Sequence, residues 1–309
     1  KERAMDISEI LTFTKEQGAS DLHISSGEPP VIRIHGEIQK VDMPALSQED
    51  VHQMLYDILN DQQLKTFERD KEIDFALDLK GIARYRINAF YQSKGEAIVC
   101  RTIPTKIMSL EELNLPSTLS DLTEKTKGLV LVTGPTGSGK STTLAAMIDY
   151  INQNKRLHIL TIEDPIEFVY EPNLCLINQR ELGTNTHSFA NALRSALRED
   201  PDVILVGEMR DLETISLAMT AAETGHLVLG TLHTSSAAKT LDRVIDVFPH
   251  EQQNQVRSMF AESILAVVTQ NLLKKKDGSG RVAALEIMIG TPAIRNLIRE
   301  GKIAQIPGM

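Results

Sequence analysis

The sequence predicts an α/β protein in which a domain with a parallel sheet follows a smaller α+β domain. From Gly128 onward, short apolar runs alternate with helical patterns, as parallel strands and their crossover helices do. Before that point, residues 73–79 and 84–89 alternate apolar with mostly polar side chains, as half-buried strands do. A length of 309 residues is consistent with two domains. We place the first domain at 1–104, a linker at 105–127 and the second domain at 128–309.

The first domain is predicted to combine helices with antiparallel-type strands. Ser47 is a favourable N-cap for the second helix, and Asp50 lies three residues further on. Along the last strand, Arg84 and Arg86 alternate with apolar residues, which predicts one basic face and one apolar face. The predicted elements are helices over 6–17 and 48–60 and strands over 21–25, 31–41, 73–79 and 84–89.

The second domain is predicted to be a parallel sheet with helices on both of its faces. Each short apolar run indicates a strand buried within the sheet, and each amphipathic stretch between two runs indicates a helix. A polar stretch around Pro116 precedes the domain and is interpreted as the linker with a short helix over 109–122. The predicted strands are 129–133, 158–162, 203–206, 227–231 and 282–288, and the predicted helices are 140–153, 188–199, 211–224, 236–246, 249–272 and 292–300.

The composition argues against several classes of protein. The net charge is −9, whereas proteins that bind a nucleic-acid backbone carry a basic field, so no nucleic-acid partner is expected. Two cysteines, Cys100 and Cys175, cannot build a disulfide framework or a four-thiolate zinc site. This cysteine usage favours a reducing compartment, and the cytoplasm is the expected location. No apolar run approaches the ~18 residues of a membrane helix, so no direct membrane insertion is expected.

A glycine-rich segment directly follows the predicted strand over 129–133. It matches the pattern G-x-x-x-x-G-K-[ST] and leads into a predicted helix, as a nucleotide-binding loop does. The glycines let backbone N–H groups converge on a phosphate, Lys140 reaches the β and γ oxygens, and Ser141 offers a hydroxyl to Mg²⁺. An ordinary glycine-rich turn is the alternative interpretation. The candidate nucleotide-binding residues are Gly134, Pro135, Thr136, Gly137, Ser138, Gly139, Lys140, Ser141 and Thr142.

Acidic residues follow two of the predicted parallel strands. After one strand, Gly207 stands where the magnesium-holding Asp of a P-loop protein is usual, so Glu208 would have to hold the ion. After another strand come Glu163 and Asp164. Because the carboxyl ends of parallel strands open onto the ligand crevice, Glu163 is a candidate general base or water-orienting group. Asp164 would support it or lie on the opposite face. The alternatives are an ordinary loop residue for Glu208 and solvated surface acids for Glu163 and Asp164.

Two histidines flank the predicted strand over 227–231. If this strand lies near the P-loop strand, His226 and His233 both reach the same crevice, and either could sense the γ-phosphate. Structural roles are the alternative. No pair of histidines shows the spacing of zinc ligands.

Arginines in both domains could contact the nucleotide of a neighbouring subunit. Such an arginine finger accelerates phosphoryl transfer by ~10³ to 10⁵. The alternative is that these arginines are solvated or paired with Asp and Glu. They are Arg84, Arg86 and Arg101 in the first domain and Arg194, Arg198 and Arg210 in the second.

Together these segments resemble the secretion ATPase superfamily, which serves type IV pili and type II and type IV secretion. Within it, the sequence is most similar to the retraction ATPases of twitching motility. Gly207 followed by Glu208 is what this superfamily shows in place of an Asp. The segments that carry the resemblance are 134–142, 160–167, 202–208 and 225–234 in the second domain, with 17–24 and 293–302 pointing to the retraction ATPases.

The resemblance implies a PAS-like first domain, a RecA-like second domain and a homohexamer with ATP bound between subunits. It implies an ATP-hydrolysing motor that powers pilus retraction from the cytoplasmic face of the inner membrane. The expected partners are the pilus platform protein of that membrane and, indirectly, pilin. Arg84, Arg86 and Arg101 would approach the bound nucleotide.

Three alternatives stay open. A pilus extension or type II secretion ATPase has the same core, but such relatives typically carry a further N-terminal domain and a tetracysteine zinc insertion, which two cysteines cannot supply. A nucleic-acid translocase would need a basic, aromatic-bearing channel, whereas aromatic residues make up 4% of this chain. A regulator that binds nucleotide without hydrolysing it is the third.

Overall fold

The computed structural model describes residues 6–34, 36–79, 82–103, 106–277 and 280–308. The chain divides into two compact units, one ending at Lys106 and the other beginning at Ile107. Within the described ranges, no helix is both long enough and apolar enough to cross a membrane.

The described part of the first unit contains an antiparallel sheet whose apolar face is buried with the helices. Tyr85 and Ile87 are fully buried, as the alternating pattern predicts, and helix residues such as Leu11 share their core. The strands are β1 Asp21–Ser25, β2 Val31–Ile34, β3 Glu37–Lys40, β4 Glu72–Leu79, β5 Ala83–Gln92 and β6 Gly95–Ile103, and the helices are α1 Ile7–Glu16, α2 Gln48–Tyr56 and α3 Asp61–Asp70. The strand order is β3-β2-β1-β6-β5-β4. The PAS-like assignment stays a prediction.

Capping side chains set the helix boundaries in this unit. Ser47 and Asp50 form the expected capping box at the start of α2. The predicted helix over 48–60 is too long, because Asn60 accepts hydrogen bonds from the backbone of Gln62 and Gln63 and thereby starts a separate helix, α3.

In the described part of the second unit, a seven-stranded sheet has helices on both faces, which confirms that prediction and gives a RecA-like fold. The strands are β7 Gly128–Thr133, β8 His158–Glu163, β9 Leu176–Glu181, β10 Val203–Val206, β11 Leu227–Leu232, β12 Ile264–Lys274 and β13 Arg281–Ile289. The helices are α4 Thr118–Thr123, α5 Lys140–Asn154, α6 Phe189–Ala196, α7 Leu212–Glu223, α8 Ala237–Asp246, α9 Gln253–Ser263 and α10 Pro292–Arg299, with 3₁₀ helices at His250–Gln252 and Ile303–Gly308.

The strand order is β13-β12-β7-β11-β10-β8-β9, and only the pairing of β12 with β13 is antiparallel. Alternate residues of β7 enter different cores. Leu131 packs with residues of α7 in one cluster, and Val132 packs with residues of α5 in the other. β7 is therefore buried on both faces.

The segment 105–127 was predicted as a linker, but from Ile107 onward it is part of the second unit. Leu110, Leu119 and Leu122 are buried in the core of the second unit, which therefore begins at Ile107 and not at residue 128. The short helix predicted over 109–122 is confined to α4.

The predicted helix over 249–272 is wrong beyond Ser263. From Ile264 the chain forms β12, whose residues Val267 and Val268 are both fully buried because the two faces of the sheet are covered. A strand buried on both sides loses its alternating pattern and cannot be distinguished from a buried helix by periodicity.

Candidate active site

The phosphate-binding loop, residues 134–139, connects β7 to α5 at the carboxyl edge of the parallel sheet. Gly134, Gly137 and Gly139 have φ angles of 139°, 77° and 87°, which other residues rarely adopt. A β-carbon at Gly134 would also lie 2.2 Å from the carbonyl oxygen of Gln270. The glycines of the motif are thus required by the backbone, and the predicted strand–loop–helix context is confirmed.

Lys140 is buried at the start of α5, with its ammonium group directed back at the loop. Its Nζ donates to the carbonyl oxygens of Gly134 at 2.9 Å and Pro135 at 3.1 Å and lies 3.5 Å from Nδ1 of His233. Burial lowers the pKa of Lys140, and the carboxylate of Glu208 opposes this shift. An anion placed beside this ammonium group would compensate for the solvation that it has lost.

Three hydroxyl-bearing residues lie within two positions of Lys140 in the sequence. Ser138 is buried, and among the described residues no hydrogen-bond partner reaches its Oγ. Ser141 and Thr142 lie in the first turn of α5 and are half-buried. The first N–H groups of a helix lack intrahelical partners and carry partial positive charge. This set of donors fits a phosphate group.

Glu208 and His233 lie together at the same edge. Glu208 Oε1 is 3.0 Å from Nε2 of His233 and is ion-paired with Arg210. Partial burial raises the pKa of Glu208, but the hydrogen bonds and charges of Arg210 and His233 outweigh it and lower the pKa below its ordinary value. Glu208 is therefore ionised at neutral pH and connects through His233 to Lys140.

Neither Glu208 nor Glu163 follows a strand that is adjacent to β7. β11 lies between β7 and β10, and β8 comes after β10. With strands ~4.8 Å apart, the ends of β10 and β8 are ~10 and ~14 Å from the end of β7. His233 follows β11, so it occupies the position beside the loop and bridges this gap.

Glu163 ends β8 as a buried acid. Its Oε1 accepts a hydrogen bond from Thr161 Oγ1 at 2.6 Å and lies 3.3 Å from Nε2 of Gln179. Burial raises the pKa of Glu163 to about 7, although these hydrogen bonds act in the opposite direction. Asp164, in contrast, is exposed. A carboxyl group that changes charge near neutral pH is suited to proton transfer.

Gly207 lies against the backbone of Glu163. Its N–H donates to the carbonyl oxygen of Ile162 at 2.7 Å. A β-carbon on Gly207 would lie 3.0 Å from that oxygen and 3.2 Å from Cα of Glu163. A side chain at position 207 would require the backbone around Glu163 to shift, so glycine fits this position, and the acid stands one residue later, at Glu208.

His226 does not reach the crevice, contrary to the prediction. It precedes β11 and its Nδ1 contacts the carbonyl oxygen of Ala221 at 2.9 Å, while His233 follows β11. A strand rises ~3.3 Å per residue, so the two histidines lie at opposite edges of the sheet. His226 has the structural role that was the alternative.

Two of the candidate arginines of the first unit have carboxylates beside them. Arg86 forms a bidentate pair with Asp74, with an Nη2–Oδ2 distance of 2.6 Å, and Arg101 Nε lies 2.9 Å from Asp21 Oδ1. Arg84 is half-buried on the same strand as Arg86. Arg86 and Arg101 are register partners on adjacent strands, so their side chains share one face of the sheet.

Among the arginines of the second unit, Arg210 is the one whose side chain contacts a candidate site residue, Glu208. Arg194 is paired with Glu213, and Arg198 is exposed.

Sequence reasoning missed several polar side chains that support the site. Thr161 could have been found, since it lies two residues before Glu163 and therefore on the same face of β8. Gln179 and Gln270 come from distant strands, and no local pattern marks them.

The architecture and site of the second unit are those of a P-loop ATPase with a RecA-like fold. Residues 3–304 match the family described as Type II/IV secretion system protein, so the chain belongs to that family. It is accordingly an ATPase that uses nucleotide.

The relatives include motors of type IV pili. The chain is 62% identical over 302 residues to the protein named type IV pilus retractation ATPase PilT of Pseudomonas aeruginosa, with 98% of this chain and 88% of that protein covered. It is 61% identical over 277 residues to a twitching motility protein of Neisseria gonorrhoeae, with 90% and 74% covered. A crystal structure of the pilus retraction motor PilT with bound ADP aligns with a TM-score of 0.95 at 49% identity, covering 98% of this chain and 89% of that one.

We expect Gly207→Ala to lower the rate of ATP hydrolysis by about tenfold, because its β-carbon would press on the carbonyl oxygen of Ile162 and on Cα of Glu163, and the rate falls steeply when a reacting group is displaced. Phosphate release at saturating ATP measures this rate, and the affinity for ADP should stay near that of the wild type. Gly230→Ala is the matched control, since its methyl group would meet the side chain of Met209 and not a backbone atom. Equal rates in the two variants would contradict the close-approach argument.

Proposed function

We propose that this chain is the ring-forming, ATP-hydrolysing motor that powers retraction of type IV pili. One observation carries the enzymatic part of the proposal: the continuous contact from Lys140 through His233 to Glu208, at the same sheet edge as the buried acid Glu163. The retraction part is supported by the names of the relatives at 62% and 61% identity.

The proposed nucleotide site is the phosphate-binding loop with Lys140, Ser141 and Thr142. Backbone N–H groups of the loop and of the α5 N-terminus bind the β-phosphate. Lys140 exchanges its loop carbonyl partners for β and γ oxygens, and the Ser138 hydroxyl donates to the same group. Ser141 and Glu208 would hold Mg²⁺, which neutralises phosphate charge when bound.

Glu163 is the proposed general base. Its carboxylate takes a proton from a water molecule as the water oxygen bonds to the γ-phosphorus and the bond to the ADP oxygen breaks. His233 lies within reach of both Lys140 and Glu208, so it is placed to respond when the γ-phosphate is present or lost. His226 is left out of this proposal.

The proposed assembly is a homohexamer in which Arg84, Arg86 and Arg101 serve a nucleotide bound by a neighbouring subunit. Arg86 and Arg101 share a sheet face and are 43% and 68% exposed, so both are accessible to an anionic ligand. The proposed partners are the pilus platform protein of the inner membrane and, through it, pilin, and the proposed location is the cytoplasmic face of that membrane.

We expect Glu163→Gln to reduce phosphate release by at least about 10²-fold while ATP binding is retained, because the amide keeps the shape of the acid but cannot accept the proton. Asp164→Asn is the matched control: this neighbouring acid is exposed, and its substitution should leave the rate within about threefold. Unchanged phosphate release in Glu163→Gln would favour the non-hydrolysing regulator.

The same variant tests the burial of Glu163 through stability. A carboxyl whose pKa is raised from 4.5 to about 7 on folding destabilises the folded state as pH rises through that value. Glu163→Gln should therefore unfold at a higher temperature than the wild type at pH 8, and this difference should shrink as pH falls below 7 and vanish below 4.5.

The pH dependence of turnover should report the same group. Because the base must be ionised, kcat should fall as pH drops through about 7. Thr161→Val removes a hydrogen bond that lowers the pKa of Glu163, so the midpoint of its pH profile should move to higher pH. Identical profiles for the wild type and Thr161→Val would assign the pH dependence to another group.

Deleting the gene distinguishes retraction from extension or secretion. Loss of a retraction motor should leave cells with surplus pili that do not move, counted by electron microscopy and by twitching on agar. Cells without pili would show that the motor extends them, and normal pili with defective protein secretion would favour the secretion ATPase.

A further inference from the structure

We propose that Gln270 is a positioning residue that holds the phosphate-binding loop in its binding conformation. The inference rests on the proposed nucleotide site and adds a residue from β12, 132 positions away from the loop residue it contacts.

Gln270 is 2% exposed, and both ends of its side-chain amide are engaged. Its Nε2 donates to the carbonyl oxygen of Ser138 at 2.8 Å, and its Oε1 accepts from Thr143 Oγ1 at 2.7 Å. Because the carbonyl oxygen of Ser138 can only accept, the NH₂ end of the amide is the one directed at the loop, and the Thr143 hydroxyl then donates to Oε1. The amide therefore connects the last turn of the loop to the first turn of α5.

The two glycines that end the loop both pack on Gln270. A β-carbon on Gly134 would lie 2.2 Å from the Gln270 carbonyl oxygen, and one on Gly139 would lie 2.8 Å from Nε2. The loop thus closes over this residue at both of its ends, and the motif glycines are needed there for contact with Gln270 as well as with phosphate.

Holding the Ser138 carbonyl determines the orientation of the next N–H group. In a planar trans peptide the C=O and N–H bonds point in opposite directions. With the Ser138 carbonyl directed at Gln270, the N–H of Gly139 points away from β12. An N–H group that is oriented in advance binds an anion without a further loss of conformational freedom.

The adjacent residue offers a comparison within the same strand. Thr269 Oγ1 lies 2.9 Å from Thr133 Oγ1, a buried contact between β12 and β7 that does not involve loop residues 134–139. Removing it should destabilise the sheet to a similar degree without releasing the loop.

The experiment compares Gln270→Leu with Thr269→Val, using a fluorescent N-methylanthraniloyl derivative of ADP as the probe. We expect Gln270→Leu to bind the probe at least about tenfold more weakly and to raise KM for ATP, while kcat at saturation stays within about threefold. Thr269→Val should lower the unfolding temperature comparably and leave probe affinity within about twofold. Equal probe affinity in the two variants would overturn the proposal.

Two further variants keep the result interpretable. Thr143→Val leaves Gln270 in place but frees its amide to rotate, so it should also weaken probe binding, by a smaller factor than Gln270→Leu. This variant tests the proposal even if Gln270→Leu folds poorly.

Lys140→Ala tests the proposed site itself. If Lys140→Ala loses the probe but Gln270→Leu and Thr143→Val bind it like the wild type, the site stands and the role of Gln270 is refuted. If the wild type does not bind the probe, the proposed function fails with it.

Discussion

A buried ammonium group at the carboxyl end of β7 is the constraint around which the second unit is arranged. Lys140 has loop carbonyl oxygens and the imidazole of His233 as its near partners, and these are poor substitutes for water or for a negative charge. Burial lowers its pKa, so the protein keeps this cation at a cost that a bound phosphate would remove. The positive-φ glycines and the N-terminus of α5 face the same place and add to the same field.

Glu163, at the end of β8 two strands beyond β11, is an acidic group whose charged form is likewise destabilised by burial. Glu163 is buried with Thr161 and Gln179 as hydrogen-bond donors, which is not enough to keep its pKa in the ordinary range of a carboxyl. Gly207 makes room for the backbone of Glu163 at the expense of the acid that usually follows such a strand. The sheet edge thus combines a cation and an acid whose charged forms are both destabilised by burial, as is typical of groups that bind or react with a substrate.

Much of the fold and of the candidate site could be predicted from local sequence. The phosphate-binding loop has a sequence motif in which the backbone conformation requires the glycines. The alternating pattern around Tyr85 was sufficient to predict a half-buried strand, and the cap at Ser47 was sufficient to predict the start of a helix. The prediction was wrong where burial on both faces removes periodicity, as in β12, and for His226, which precedes β11 and therefore lies at the opposite edge of the sheet from His233. It also missed α3, although Asn60 stands before it as a favourable cap.

Local residue patterns were therefore enough to identify the loop, the acids at strand ends and the class of fold. Only the folded chain could decide that β11 separates β7 from β10, that His233 contacts Lys140, and that Gln270 supports Ser138. The reason is physical. Backbone conformation and side-chain alternation depend on neighbouring residues, whereas strand order and buried polar contacts depend on packing between segments that are far apart along the chain.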